Sequence, residues 1–151
     1  MLDLFAGVGV GCAARSLNIE EDGVEIAPEV VRTRDVAGFH TPYNDVWEIE
    51  KAQNLDTRRL WGSPPCQSYS ISGKGNGRRA LDRVITALHE RRWEDIDSLR
   101  ELSVELGEDG DKTALVLTPL AYVHRYRPEW VAFEQVPAVL PVWEAHRGPL
   151  E

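Results

Sequence analysis

The stretch Met1-Leu2-Asp3-Leu4-Phe5-Ala6-Gly7-Val8-Gly9-Val10-Gly11 decides the fold. Its first five residues are apolar apart from Asp3 and read as a short strand. Gly7, Gly9 and Gly11 follow at alternate positions, and residues 12–17 read as helix. Strand, glycine turn and helix in this order open a nucleotide-binding βαβ unit, because glycine lets the backbone turn tightly and approach a ligand with no Cβ in the way. Gly23-Val24-Glu25-Ile26 reads as a second short strand ending in a carboxylate, where a ribose diol is usually hydrogen-bonded. Asp45, ahead of Val46-Trp47, reads as an acid at a third strand end. Together these strand ends outline an adenosine-type pocket. Ordinary turn chemistry would also collect Gly, Asp and Glu at strand ends.

A second stretch, Gly62-Ser63-Pro64-Pro65-Cys66-Gln67, follows the apolar Leu60-Trp61. Proline fixes its own φ and drives the residue before it to extended backbone, so the pair makes a stiff segment that aims Cys66. A cysteine held in this way suits a nucleophile, since the thiolate is the most reactive ordinary side chain. It also suits a structural thiol beside a proline turn.

Five segments resemble the motifs of the cytosine-5 DNA methyltransferases, in the order that family uses. Asp3-Leu4-Phe5-Ala6-Gly7-Val8-Gly9 resembles the first motif. Glu25-Ile26 and Asp45-Val46 resemble the second and third. Pro64-Pro65-Cys66-Gln67 with Ser70-Ile71-Ser72-Gly73-Lys74 resembles the catalytic loop, and Phe133-Glu134-Gln135-Val136 resembles the Glu-Asn-Val motif. There are two departures: Val10 separates Gly9 from Gly11 where the family runs Gly-Gly, and Gln135 stands in place of Asn.

The resemblance implies an α/β, Rossmann-like S-adenosylmethionine-dependent methyltransferase fold, with a mostly parallel sheet, flanking helices and an incomplete C-terminal part. It implies S-adenosylmethionine as cofactor and S-adenosylhomocysteine as product. Phe5, Ala6, Gly7, Val8 and Gly9 would form the cofactor loop, and Glu25 would hold the ribose hydroxyls. Ile26 and Val46 would clamp the adenine, Asp45 would accept from its amino group, and Pro65 would wall the methyl end. Cys66 would add to C6 of the cytosine and Glu134 would neutralise N3. Gln67, Ser70, Ser72, Lys74, Arg78 and Arg79 would face DNA, whose target base must be flipped out of the duplex. A tRNA-modifying branch shares these motifs, so RNA is the alternative substrate. A non-catalytic nucleotide-binding chain that needs a second chain is the other alternative. The family's target-recognition region has no counterpart here, and residues from about 78 to 110 read as an inserted helical hairpin.

The composition sets bounds. A chain of 151 residues with 42% hydrophobic residues suits one globular domain, residues 1–151, which the resemblance makes the catalytic and cofactor-binding part. No apolar run approaches the ~20 residues of a membrane span, and no leader is expected before the first strand. Cys12 and Cys66 sit in unlike contexts, so reduced thiols and a cytoplasmic protein are expected, with Cys12 as buried packing. No Cys/His cluster has metal-ligand spacing. The net charge of −8 runs against a nucleic-acid binder. However, Lys74, Arg78, Arg79 and Arg83 gather after the catalytic loop, among glycines, as a segment suited to phosphates. Glu20, Glu21 and Asp22 read as a solvent face.

Hydrophobic periodicity places helices over 28–37, 80–93, 95–106 and 111–126. Pro119 would kink or end part of the last of these. Residues 130–133 read as a buried strand, and 137–146 as helix or turn.

Overall fold

In a computed structural model of the chain, residues 1–69, 79–107 and 110–146 are described. Strand β1, Leu2–Leu4, is fully buried and lies inside a sheet of order β2-β1-β3-β4. Its neighbours are β2 (Asp22–Val24) and β3 (Arg59–Gly62), and β4 (Trp130–Phe133) forms the far edge. All the pairings are parallel: Leu2 stands opposite Asp22 and Leu60, and Leu60 opposite Val131. Parallel neighbours need crossover connections, which is why helices separate the strands. Helix α1, Gly9–Ser16, joins β1 to β2. Helix α2, Pro28–Val36, follows β2, and a 3₁₀ turn, Ile49–Asn54, precedes β3. The chain is thus α/β with a four-stranded, all-parallel sheet flanked by helices, which is compatible with a Rossmann-like fold.

Two compact units divide the residues. The first comprises 1–63 and 122–134 and contains the whole sheet; the second comprises 64–121 and 135–151. In the second unit, α3 (Leu81–His89) and α4 (Ile96–Glu105) are joined through a 3₁₀ turn, Arg92–Glu94. Asp95 caps α4 by accepting from the Asp97 amide, and the Arg92 guanidinium donates to both Glu105 oxygens at 2.9 and 3.1 Å, tying the turn to the end of α4. Helix α5, Gly110–Ala114, packs so tightly that a Cβ on Gly110 would lie 2.0 Å from the Ser103 carbonyl oxygen. Helix α6, Thr118–Tyr126, begins in the second unit and ends in the first. A 3₁₀ turn, Pro137–Val139, and helix α7, Leu140–His146, follow β4.

Four expectations need correction. Residues 111–126 are not one helix: α5, a 3₁₀ turn Leu115–Leu117 and α6 share the span. Pro119 sits in the first turn of α6, where a missing N–H costs nothing. Strand β4 is an edge strand rather than a buried one, with Trp130 48% exposed and Val131 37% exposed. Cys12 is exposed, because α1 turns Gly11 and Ala14 inward and leaves Cys12 on the outer side. Finally, Glu21 lies off the solvent face. Its side chain is 3% exposed and pairs at 2.8 Å with Arg34, which is fully buried.

Candidate functional site

The chain runs from β1 out to β2 and then returns across β1 to β3. The strand order therefore reverses between β1 and β3, and in open parallel sheets ligands bind beside the carboxyl ends of the strands at that reversal. The loop after β1 begins with Phe5, whose φ of 63° is a left-handed conformation that bulky side chains rarely adopt. Gly7 follows at φ 49°, and α1 then starts at Gly9. A Cβ added at Gly7 or at Gly9 would meet no atom within 4 Å, so the space above this turn is open.

Strain of this kind collects at functional sites. It also makes a prediction. At a left-handed position glycine outranks alanine by about 1–2 kcal/mol, so Phe5→Gly is expected to be more stable than Phe5→Ala in urea unfolding, the reverse of the usual order within a strand or helix.

Glu25 lies just beyond β2. Its carboxylate accepts from the Gly7 amide at 3.0 Å (Oε2) and from the Ala27 amide at 2.9 Å (Oε1). Each oxygen keeps a further lone pair, so the group can still accept from a diol. Ile26, beside it, is 69% exposed, a large apolar side chain open to a flat ligand. Asn44 donates to the Glu25 main-chain carbonyl at 3.0 Å and thereby ties the second acidic segment to the third.

Asp45 does not end a strand. Among the described residues, the ladder contact made between β2 and β3 is a single bridge from Asp22 to His40. Pro42 cannot donate to a ladder, and Asp45 Oδ1 accepts from the Trp47 amide at 2.9 Å, a local bond that replaces strand pairing. Val46 is buried at 7% exposure, and its carbonyl oxygen accepts from Tyr122 at 2.8 Å. These residues fit an adenosine cofactor: an open glycine turn, a carboxylate with spare acceptor capacity, an exposed aliphatic side chain and a second carboxylate.

Beneath the turn lies a buried charge cluster that the sequence did not announce. Arg34 Nη1 donates to the Gly7 carbonyl at 2.9 Å, so the Gly7 residue is held at its C=O by Arg34 and at its N–H by Glu25. Asp3, between the two core leucines of β1, is fully buried, and among the described residues neither of its carboxyl oxygens has a hydrogen-bond partner. Burial first, and the Glu21 carboxylate second, push its pKa up to about 8. An isolated acid in a strand otherwise made of leucine was the available signal for this cluster.

In the second unit, the Pro64-Pro65-Cys66 segment is braced by Gln135, whose Nε2 donates to the Pro64 carbonyl at 2.8 Å. Gln135 Oε1 accepts from the Val136 amide at 2.7 Å, which fixes the side chain for that role. Residue 135 is thus a working brace although it is one methylene longer than asparagine. The chain turns after Cys66 through Tyr69 N–H to Cys66 O at 3.0 Å, and the Tyr69 hydroxyl anchors the turn on Thr113 O at 2.9 Å. Pro65 and the Cys66 side chain are partly exposed, and Gln67 and Arg79 are exposed. Ser70, Ser72, Lys74 and Arg78 lie outside the described residues. Glu134, exposed, directly follows β4 in the first unit, where its amide donates to the Gly62 carbonyl at 3.0 Å.

A cavity of about 590 Å³ in the first unit is lined by Arg15, Asp22, Phe39 and His40, at the amino end of β2 rather than the carboxyl end. Arg15 is committed there to the Ala37 and Gly38 carbonyls and lies over the Phe39 ring, and His40 is bonded to Asp22. It is therefore not the site the sheet topology predicts. Among the described residues no group of His, Cys, Asp and Glu is placed to hold a metal, and no helix is long and apolar enough to cross a membrane. Comparison with known protein families, with curated proteins and with solved structures returns no match.

Proposed function

We propose that the chain binds S-adenosylmethionine at the carboxyl end of β1 and β2 and methylates C5 of cytosine in DNA. The observation that carries the reading is the Gly7–Glu25 pair. An open glycine turn at the sheet's reversal point is clamped to a carboxylate that still has lone pairs for a ribose diol. The ordered motifs extend this from a nucleotide site to a methyltransferase. When bound, the cofactor supplies an electrophilic sulfonium methyl group.

Cytosine C5 is a poor nucleophile by itself. In this reading the Cys66 thiolate adds to C6, and Glu134 gives a proton to N3 as negative charge builds on the ring. C5 is thereby turned into an enamine-like carbon that takes the methyl group. Loss of the C5 proton to a base then expels the cysteine and restores the aromatic ring. The Gln135 brace on Pro64 supports this role, because a nucleophile must approach along a narrow set of directions.

A fluorine at C5 cannot leave as a proton does, so the adduct persists. Randomised duplex DNA containing 5-fluorocytosine, incubated with S-adenosylmethionine, is expected to yield a denaturant-resistant protein–DNA adduct. Cys66→Ala should abolish the adduct and Cys12→Ala should leave it intact. Adduct formation on tRNA containing 5-fluorocytidine but not on DNA would move the activity to RNA. Cofactor binding with no adduct on either would leave a binding protein, and no binding at all would end the reading.

A further inference from the structure

Residues 43–48 form neither helix nor strand, yet they are fixed from several sides within the first unit. Tyr43 and Tyr122 are both buried, at 4% and 0% exposure, and their hydroxyls meet at 3.1 Å. The Tyr122 hydroxyl donates to the Val46 carbonyl at 2.8 Å, so its single proton is committed and Tyr43 is the donor between the two rings. Burial pushes the pKa of both phenols upward, which keeps those protons in place. Four residues after Tyr122, the Tyr126 hydroxyl donates to the Ile49 carbonyl at 2.6 Å. Asp45 lies between the Asn44 tie to Glu25 and the Val46 tie to Tyr122, with Oδ1 held by the Trp47 amide. Among the described residues its Oδ2 has no hydrogen-bond partner.

We infer that Tyr122 is the positioning residue that sets which purine this pocket accepts, acting through the Val46 carbonyl on the Asp45 carboxylate. The inference rests on the cofactor reading above. A carboxylate held still can receive an exocyclic 6-amino group. A 6-oxo purine presents an acceptor there instead, and two acceptors facing each other repel. If the segment is free to move, Asp45 can swing away and the distinction fades. The Asn44 bond means that the same segment is registered against Glu25, so the base and ribose contacts are set by one rigid piece of chain.

The test compares binding of S-adenosylhomocysteine with its hypoxanthine analogue, S-inosylhomocysteine, by calorimetric titration of the whole chain. A hydrogen bond to a charged group corresponds to a preference of about 30-fold for the adenine form in the unaltered protein. Tyr122→Phe is expected to lower that preference to about threefold. Tyr126→Phe removes a comparable hydroxyl–carbonyl bond without touching Val46, and should keep the full preference. This separates positioning from a general loss of stability, which both variants share. Tyr43→Phe removes only the hydroxyl that orients Tyr122; it should reduce the preference several-fold and serves where Tyr122→Phe does not fold.

An unchanged preference in folded Tyr122→Phe or Tyr43→Phe overturns the inference, as does an equal loss in Tyr126→Phe. Equal binding of the two nucleosides by the unaltered chain overturns it while leaving the cofactor reading standing. Binding of neither overturns both.

Discussion

Gly23→Ala is expected to destabilise the first unit by about 3–5 kcal/mol, the range seen when a buried ion pair is broken. A Cβ on Gly23 would lie 2.0 Å from Arg34 Nη2, 2.4 Å from Cζ and 2.6 Å from Glu21 Oε1. The end of an arginine is flexible in general, but this one has nowhere to go. Its Nε donates to Thr41 Oγ1 at 3.0 Å and its Nη1 to the Gly7 carbonyl at 2.9 Å. Its Nη2 donates to Glu21 at 2.8 and 3.0 Å and to the His40 carbonyl at 2.9 Å. Displacing it leaves the Glu21 carboxylate, the Gly7 carbonyl and a cation short of partners in a buried place.

Gly9→Ala is the matched comparison, since a Cβ there enters open space. It opens α1, and an alanine in place of a helical glycine gains about 0.5 kcal/mol. Urea unfolding of the two variants should therefore move in opposite directions. Equal midpoints for Gly23→Ala and the unaltered chain would show that the guanidinium is not locked in place.

The second large effect is on the pH dependence of stability. Asp3 has its pKa raised from 3.8 to about 8 in the folded chain, by burial first and then by the Glu21 carboxylate, against a smaller opposing contribution from Arg34. The folded state therefore keeps a proton that the unfolded state releases above about pH 4. Stability from this group is complete below the unfolded value and falls as pH rises toward the folded value. The slope is about 1.4 kcal/mol per pH unit, so the loss between pH 4 and pH 8 is on the order of several kcal/mol. Asp56, held down to about 2 by Arg58, acts in a lower window, where its contribution disappears as pH falls.

Asp3→Asn keeps the shape and cannot ionise. Its unfolding free energy should vary much less across pH 5–8 than that of the unaltered chain, and should exceed it at pH 8. Parallel pH profiles for the two proteins would remove Asp3 as the titrating group.

Particular residues mark how far the chain could be read in advance. The start of β1, the glycine turn and the carboxylate after β2 were legible, because alternation, glycine and strand-end acids are local signals that follow from backbone sterics. The α2 start was legible from Pro28 for the same reason. The Pro-Pro-Cys-Gln segment was also legible as a stiff loop, and Gln135 could be named as a departure but not as a brace on Pro64.

Other features have no local signal. Helix α2 turns Arg34 inward and leaves Val36 91% exposed, the opposite of what composition suggests, because Gly23 and Glu21 arrive from another element to receive the guanidinium. Asp45 left the ladder for an Asx turn pinned by Tyr122, a residue 76 positions from the Val46 carbonyl it holds. The sequence by itself determined which backbone conformations each short segment prefers, and so the strand, turn and helix around the glycines. Only the tertiary structure decided which charged and polar side chains could be buried, since that depends on partners drawn from distant segments.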